Sequence, residues 1–251
     1  MGSLVLPGEL VEPTSSTTNP EDMHIVGYGI ERHGDRLLAT QPGIMRTQGK
    51  KQWISVQARR YIPEKGDLVL GVVTGKMGDY LKVDIGCADV ATASFLAFEG
   101  ATKRNRPAVK TGDLLYARVL TTSKHIEPEL TCVDNEQRAR GLGVIPSGVD
   151  SSFFAATFRA PLHLARRLIS PKSALLKILG KEFKFEIIVG MNGRTYLRSN
   201  VYKELVFLRN AILRSEYKLE SEIPEYVEAE ARRFKGFDVP HAQPPPVPMD
   251  H

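Results

Sequence analysis

The sequence predicts a mixed, multidomain fold, in which a small β module precedes a five-stranded OB-type β-barrel and an α+β domain. Two observations lead to this prediction. Five short strand-like runs, separated by turns that contain glycine or charged residues, lie within about seventy residues. After them, the strand and helix patterns follow the order β-α-α-β-β-α. With 251 residues, the chain is long enough for two or three small domains, each with its own core.

The N-terminal part predicts a disordered segment and then a small module. Residues 1–22 are rich in Pro, Ser, Thr and Gly, so we expect a disordered N-terminus there. Residues 23–62 contain short apolar runs that glycines interrupt, and this pattern predicts an N-terminal β module. Because the module has few apolar residues, it needs neighbours for stability.

Residues 63–136 form the predicted OB-type barrel. Its strands are expected at residues 68–73, 80–85, 89–93, 114–120 and 130–133. In the second of these runs, apolar residues at positions 81, 83 and 85 alternate with Tyr80, Lys82 and Asp84. Because successive side chains of a strand point to opposite faces, the latter three are expected to face outward.

Residues 147–236 form the predicted α+β domain. A strand at residues 151–158 is followed by helices at 161–169 and 174–179, by a hairpin over 183–199, and by a longer helix at 200–217. Ser173 is expected to cap the second helix and Gly180 to end it. This order of elements is that of a KH domain, an RNA-binding module. A last helix begins at Pro224, and residues 237–251 are a Pro-rich tail.

The most informative motif is the tetrapeptide Gly190-Met191-Asn192-Gly193. In a KH domain, a G-x-x-G tetrapeptide joins two helices and contacts phosphates through its backbone. Here the tetrapeptide lies between two strand-like runs, so the residues predict a hairpin turn, in which Asn and Gly tolerate positive φ. The loop between the two short helices is instead 170–173, which contains a proline and lacks glycine. We therefore expect a structural role for Gly190, Asn192 and Gly193.

Positive charge is concentrated in the C-terminal part of the chain. The formal net charge is +5, and eleven Lys or Arg residues stand against three Glu residues between positions 159 and 209. The basic residues are Arg159, Arg166, Arg167, Lys172, Lys177, Lys181, Lys184, Arg194, Arg198, Lys203 and Arg209, and the acidic ones are Glu182, Glu186 and Glu204. This distribution favours a polyanion or an acidic protein as the partner.

The sequence gives little support for catalysis. It has no Walker loop, nucleophile elbow or H-E-x-x-H helix, so we expect no catalytic residues, no metal site and no cofactor. An RNA-cleaving enzyme is the alternative that Asp79, Asp84 and Asp89 raise, but two-metal hydrolysis needs converging carboxylates, and these lie at turn and outward strand positions. No apolar run has the length of a membrane span and no secretory signal is visible, so no membrane partner is expected.

Three features of the sequence resemble the non-catalytic S1/KH cap subunits of the eukaryotic RNA exosome, most closely the smaller of the two. The first is the barrel start, Tyr61-x-Pro63-x-x-Gly66-Asp67-x-Val69-x-Gly71-x-Val73. The second is the tetrapeptide at 190–193, and the third is the spacing from the barrel through Pro146 to the KH helices. The resemblance implies an N-terminal β module, an S1-type OB barrel and a KH domain, with the G-x-N-G turn packed between the last two.

The resemblance also implies a function without catalysis. Such a subunit sits with other cap subunits on a ring of ribonuclease-PH-like proteins and stabilises it. The subunit guides single-stranded RNA, including rRNA, into the central channel for 3′-5′ processing and degradation by an associated hydrolytic nuclease. The implied location is nuclear and nucleolar, and also cytoplasmic. Two alternatives stay open: the sister S1/KH cap subunit of the same complex, and a free-standing adaptor that binds single-stranded RNA.

The barrel supplies the candidate RNA-binding residues. OB folds bind single strands through their second and third strands and the adjoining loops. The residues at these places are Lys76, Tyr80, Lys82, Lys103, Arg104, Arg106 and Lys124. Tyr80 would stack on a base while the cations neutralise phosphates. An exposed tyrosine could equally pack on a neighbouring subunit, and the sequence does not decide between these roles.

Overall fold

The structure, a computed structural model, describes residues 3–11, 25–34, 36–49, 51–56, 60–123, 126–146, 153–171, 173–218 and 221–237. The chain divides into two compact units, Met1–Arg59 and Arg60–His251. Where the structure describes it, the first unit forms strands, and the second contains a β-barrel followed by an α+β domain. The mixed, multidomain fold class predicted from the sequence is therefore confirmed.

The described residues of the first unit form two small sheets. The strands are β1 (Leu4–Val5), β2 (Leu10–Val11), β3 (Ile25–Val26), β4 (Ile30–His33), β5 (Arg36–Ala39), β6 (Gly43–Gln48) and β7 (Lys51–Ser55). One sheet has the order β1-β6-β7-β3 and the other the order β2-β5-β4. The core is correspondingly small and consists of Val5, Val11, Ile30, Leu37, Ala39 and Ile54.

The expectation of a disordered N-terminus over residues 1–22 is wrong for its first part. β1 pairs with β6 and β2 pairs with β5, and both pairings are antiparallel. Val5 and Val11 are buried in the core of the unit. Averaging the composition over 22 residues concealed these two strands, because the Pro-, Ser- and Thr-rich residues are concentrated at positions 12–20, outside the described residues.

The barrel contains five strands that close on themselves. Its strands are β8 (Leu68–Met77), β9 (Tyr80–Asp84), β10 (Ala91–Ser94), β11 (Leu114–Ser123) and β12 (Ile126–Thr131), and β13 (Gly143–Ile145) adds to them. The order is β12-β10-β9-β8-β11-β13, and the pairing of β11 with β12 closes the barrel. Leu81, Val83 and Ile85 are fully buried, as their alternation predicted.

The barrel domain also extends further along the chain than its predicted end at residue 136. β13 pairs antiparallel with the first residues of β11, so the sheet continues to Ile145. The sequence did not predict this strand because it has only three residues, two of which are partly exposed. A strand of this length has no periodicity to detect.

The α+β domain has the predicted order β-α-α-β-β-α and one further helix. Its elements are β14 (Phe154–Arg159), α1 (Leu162–Ile169), α2 (Leu175–Glu182), β15 (Phe185–Val189), β16 (Arg194–Ser199), α3 (Tyr202–Arg214), a 3₁₀ turn (Ser215–Tyr217) and α4 (Ile223–Phe237). The sheet has the order β14-β16-β15. Leu164, Leu175, Leu179, Leu197 and Leu208 belong to the core between sheet and helices and are fully buried. Among the described residues, no helix is long and apolar enough to cross a membrane.

The boundaries of α2 differ from the prediction at both ends. The helix continues through Gly180 to Glu182, although glycine was expected to end it. Burial of Leu175 and Leu179 stabilises the helix by more than the roughly 1 kcal/mol that one helical glycine costs. Ser173 does not cap α2, since the residue before the helix is Ala174 and the Ser173 side chain is buried.

Candidate nucleic-acid interface and the junction of barrel and KH domain

The tetrapeptide 190–193, called the KH turn below, is a tight hairpin turn between β15 and β16. The Gly193 N–H donates to the Gly190 carbonyl oxygen at 2.9 Å, and the Gly190 N–H donates to the Arg194 carbonyl oxygen at 2.9 Å. Gly193 has a φ of +78°, in the left-handed region that favours glycine. The predicted hairpin turn is therefore present, and of its four residues only Gly193 has a positive φ.

The Asn192 side chain joins the KH turn to the barrel. Its Nδ2 donates to the carbonyl oxygens of Leu70 and Ile85, each at 2.8 Å, and its Oδ1 accepts from the Leu70 N–H at 3.3 Å. The Met191 N–H donates to the Leu68 carbonyl oxygen at 2.8 Å. Asn192 itself is buried. The turn therefore continues the hydrogen bonding of β8 and β9 into the KH domain.

The two glycines let these backbones approach each other closely. A Cβ added to Gly190 would lie 2.7 Å from the Leu70 nitrogen, a distance that real Cβ atoms essentially never show. A Cβ added to Gly193 would collide with the Ala160 carbonyl oxygen. Because the turn faces the protein on both sides, its backbone cannot approach a phosphate in the manner of a G-x-x-G loop between helices.

Arg194 and Asp84 form a second polar contact between the two domains. Arg194 Nη2 lies 2.5 Å from Asp84 Oδ2, and Nη1 donates to the Asp84 carbonyl oxygen at 2.5 Å. Partial burial alone would raise the pKa of Asp84, but the hydrogen bonds from Arg194 and from the Gly86 N–H outweigh it and lower the pKa. The pair is thus charged at neutral pH and orients the start of β16 on the barrel.

An apolar contact completes the junction. Leu70 and Ile145 of the barrel pack against Tyr196 of β16, and Leu114, Tyr116 and Ile188 surround them. Leu70 is fully buried, and Ile145 and Tyr196 are nearly so. Apolar burial and paired polar groups together make the barrel and KH domain one compact unit.

The candidate RNA-binding residues of β9 lie on the outer face of the barrel. Tyr80 is 45% exposed and Lys82 is half-buried, and both point away from the core. Lys76 is exposed near the end of β8, and Tyr80 pairs with Met77 across the hairpin between β8 and β9. Tyr80 and Lys82 thus lie on one face of this hairpin, whereas Lys76 pairs with Leu81 and lies on the opposite face.

The loop between β10 and β11 adds the remaining described candidates. Lys103, Arg104 and Arg106 are all exposed. Arg106 Nη2 lies 2.7 Å from Asp79 Oδ1, in the turn of the hairpin, and its guanidinium lies 5.7 Å from the ring centroid of Phe95. The ion pair places this loop beside Tyr80. Lys124 lies outside the described residues.

The barrel and the KH domain each match a family model. The model described as "Exosome complex component RRP40, S1 domain" matches residues 61–143, and the model "KH domain" matches residues 157–202. The exosome complex component RRP40 of Homo sapiens is 38% identical over 242 residues, which cover 86% of this chain and 86% of the relative. That of Drosophila melanogaster is 42% identical over 211 residues, covering 84% and 88%.

The chain belongs to the RRP40 family. A crystal structure assigned to an exosome complex RNA-binding protein supports this at the level of the fold, with 25% identity and a TM-score of 0.52 over 70% of this chain and 99% of that one. The resemblance to S1/KH cap subunits of the exosome, taken from the motifs, is therefore confirmed. The S1 match ends at residue 143, close to the observed end of the barrel at β13.

The three aspartates that raised the nuclease alternative do not converge in this RRP40-family structure. Asp79 pairs with Arg106 and Asp84 pairs with Arg194. The Asp89 carbonyl oxygen accepts a hydrogen bond from the Cys87 thiol. Within the described residues, no group of three or more His, Cys, Asp or Glu side chains is arranged to hold a metal ion.

The sequence predicted Asp84 to face outward on its strand but did not predict its contact with Arg194. Asp84 is an outward residue of β9, and Arg194 directly follows the second glycine of the KH turn. A signal was present, because a turn that packs on the barrel brings the first residue of β16 to the same surface. The sequence does not show, however, how β16 is positioned on β9, and this position brings the Asp84 carboxylate to the Arg194 guanidinium.

Proposed function

We propose that this protein is a non-catalytic RNA-binding cap subunit of the RNA exosome. In this role it stabilises the ring and guides single-stranded RNA into the central channel for 3′-5′ processing and degradation. The observation that carries the proposal is the family: relatives named exosome complex component RRP40 cover both domains of this chain at up to 42% identity. Among the described residues, the barrel has a face suited to RNA, and the hydrogen-bonding groups of the KH turn contact the barrel.

The geometry supports a division of work between the two domains. The KH turn uses its N–H groups and the Asn192 amide for contacts within the protein. RNA contacts therefore fall to the barrel, where Tyr80 offers a ring for stacking and the cations of the hairpin and loop offer charge. Arg106 contributes less than the others because Asp79 already neutralises it.

The proposed partners are inferred from the membership of the chain in the RRP40 family and not from individual contacts in the structure. They are single-stranded RNA, ring subunits of ribonuclease-PH-like type and the other cap subunits, while an associated hydrolytic nuclease performs the cleavage. The protein itself is not an enzyme. With the complex, it is located in the nucleus and nucleolus and also in the cytoplasm.

Assembly and activity assays test the proposal. The purified chain should enter a complex with ring and cap proteins at one copy per ring, measured by size-exclusion chromatography with light scattering. Alone, it should leave labelled RNA intact when Mg²⁺ is added. A chain that stays monomeric beside the ring, yet binds RNA tightly by itself, would instead be the free-standing adaptor.

The RNA-binding residues have their own test. Tyr80→Ala should weaken binding of a 12-nucleotide single-stranded RNA to the full chain by about 5-fold to 150-fold, because one stacked base contributes roughly 1–3 kcal/mol. Tyr217→Ala is the matched control, since Tyr217 is also exposed but lies in the KH domain.

Replacing Lys103 and Arg104 by Ala should reduce the slope of log affinity against log salt by about 0.7 for each phosphate that is no longer neutralised. Fluorescence anisotropy measures both, and equal losses of affinity in the Tyr80 and Tyr217 variants would contradict the assignment.

A further inference from the structure

The outer edge of β14 offers unpaired backbone groups. β14 lies at one end of the sheet order β14-β16-β15, and within the described part of the chain no strand pairs with its outer side. The Ala160 N–H donates to the Gly193 carbonyl oxygen at 2.7 Å, which continues the ladder between β14 and β16. Because inward and outward groups alternate along an antiparallel edge strand, the backbone N–H and C=O groups of Ala155, Thr157 and Arg159 point outward.

This edge lacks the usual protection against pairing. The first five residues of β14 are Phe-Ala-Ala-Thr-Phe and include neither a charged residue nor a proline. The strand has six residues and pairs with β16 in an uninterrupted register, without a bulge. Exposed edges in proteins normally carry charges, prolines or bulges, because an unprotected edge is a template for another strand. Ala155 and Thr157 are exposed.

A groove of about 350 Å³ accompanies the edge. We call it the β14 groove, and its lining includes Phe154 and Tyr202 on one side and Leu114 and Pro146 on the other. The rings of Phe154 and Tyr202 meet edge to face with centroids 5.7 Å apart, and the two residues are 46% and 61% exposed. A strand added to β14 would direct alternate side chains to these two sides. Among the described residues that line the groove, none is charged.

A charged residue at one end of β14 indicates which side chain a bound segment should carry there. Arg159 is exposed at the C-terminal end of β14, and the surrounding domain carries the excess of basic residues described above. An acidic residue in the bound segment would therefore lie next to Arg159. RNA fits less well, because the described lining is aromatic and aliphatic, and because Arg198, which stacks on the lining residue Phe153, is already paired with Glu186.

We propose that the β14 groove binds an extended, mainly apolar segment of a partner protein by strand addition to β14, with an acidic residue of that segment beside Arg159. The backbone groups of β14 supply the hydrogen bonds, and the two sides of the groove select alternating apolar side chains. This surface goes beyond the proposed function, since neither RNA binding on the barrel nor the family assigns it.

Amide exchange of the full chain tests the proposal with a defined probe. The probe is a synthetic decapeptide in which Val and Thr alternate and two Glu residues stand at one end. When the peptide is bound, hydrogen exchange at the Ala155 and Thr157 amides should slow by about tenfold or more, measured by NMR. A peptide with Lys in place of Glu should bind more weakly, and one with a central Pro should not bind.

Variants of the chain distinguish the contribution of the β14 backbone to peptide binding from that of the groove side chains. Ala155→Pro removes one outward N–H and no hydrogen bond to β16, so it should weaken peptide binding about tenfold with an unchanged melting temperature. If this variant does not fold, Thr157→Lys places a charge on the exposed edge and should weaken binding similarly. Tyr202→Ala should also weaken binding, whereas Tyr217→Ala should not.

Two results would overturn the proposal. One is unchanged exchange at Ala155 and Thr157 at peptide concentrations up to the solubility limit. The other is slowed exchange of the same amides by a 12-nucleotide RNA, which would make the groove a nucleic-acid site. Neither measurement involves the ring proteins, so a failure here leaves the proposed cap function untouched, and a failure of ring assembly leaves this inference untouched.

Discussion

At the scale of single residues, the junction of barrel and KH domain depends most on the Asn192 amide. Asn192→Ala should lower the free energy of unfolding by about 3 kcal/mol, because buried backbone groups of Leu70 and Ile85 would lose their partner. For a unit of this size, we expect the melting temperature to fall by roughly 6–12 °C. Differential scanning calorimetry measures the change, and RNA affinity should stay within about twofold.

Two companion variants make this prediction specific. Asn192→Asp should be nearly as unstable, because a carboxylate cannot donate to the two carbonyl oxygens. Asn200→Ala should have little effect, since Asn200 is exposed. A variant at Asn192 that keeps its melting temperature but loses RNA binding would show that the KH turn contacts RNA after all.

Asp84 makes the stability of the junction depend on pH. Its folded-state pKa is below the usual value of 3.8, so its stabilising effect is complete above that value and is lost as the pH falls through the folded-state pKa. Asp84→Asn should cost less than about 1 kcal/mol at pH 7, since the Asp84 side chain is 44% exposed. Urea denaturation should show this difference shrinking below about pH 4. In the control Asp89→Asn, at an exposed side chain, the free energy of unfolding at pH 7 should stay within about 0.5 kcal/mol of that of the native protein.

Among the strands and turns, the sequence predicted the elements whose residues show a local pattern. It missed the elements and contacts that depend on pairing with distant residues. The alternation at residues 80–85 predicted β9 and its buried face, and the glycines at 190 and 193 predicted the turn. β1 and β13 have two and three residues, and each exists because a distant strand, β6 or β11, supplies its hydrogen bonds. The partners of Asn192 and Arg194 lie about 110 or more positions away, so no local signal identifies them.

The glycines of α2 and of the KH turn should respond in opposite ways to the same substitution. Gly180 lies within α2, and a Cβ there meets no atom within 4 Å, so Gly180→Ala should raise the free energy of unfolding by about 0.5–1 kcal/mol. Gly193→Ala should lower it by about 2–4 kcal/mol, because its φ is positive and its Cβ would collide with Ala160. Chemical denaturation measures both. A Gly193→Ala variant as stable as Gly180→Ala would refute the packing described for the turn.

At the scale of the whole molecule, the two units differ in how much core they possess. The described core of the first unit contains six buried apolar residues. The KH core alone contains sixteen, and the junction with the barrel adds hydrogen bonds and further apolar contacts. The second unit therefore has the burial that an independently stable domain requires, whereas the first is close to the lower limit.

A fragment of residues 60–251 should accordingly fold on its own. We expect its melting temperature to lie within about 2 °C of the main transition of the full chain, because the barrel, the KH core and the junction are all retained. Residues 1–59 alone should show no cooperative transition by calorimetry, since their core is small. The fragment should also bind a 12-nucleotide RNA within about twofold of the full chain, as Tyr80 and its neighbouring cations all lie in the second unit. An unfolded or aggregated fragment would mean that the first unit supplies stability that the second lacks, and the barrel could then not be treated as a self-sufficient RNA-binding domain.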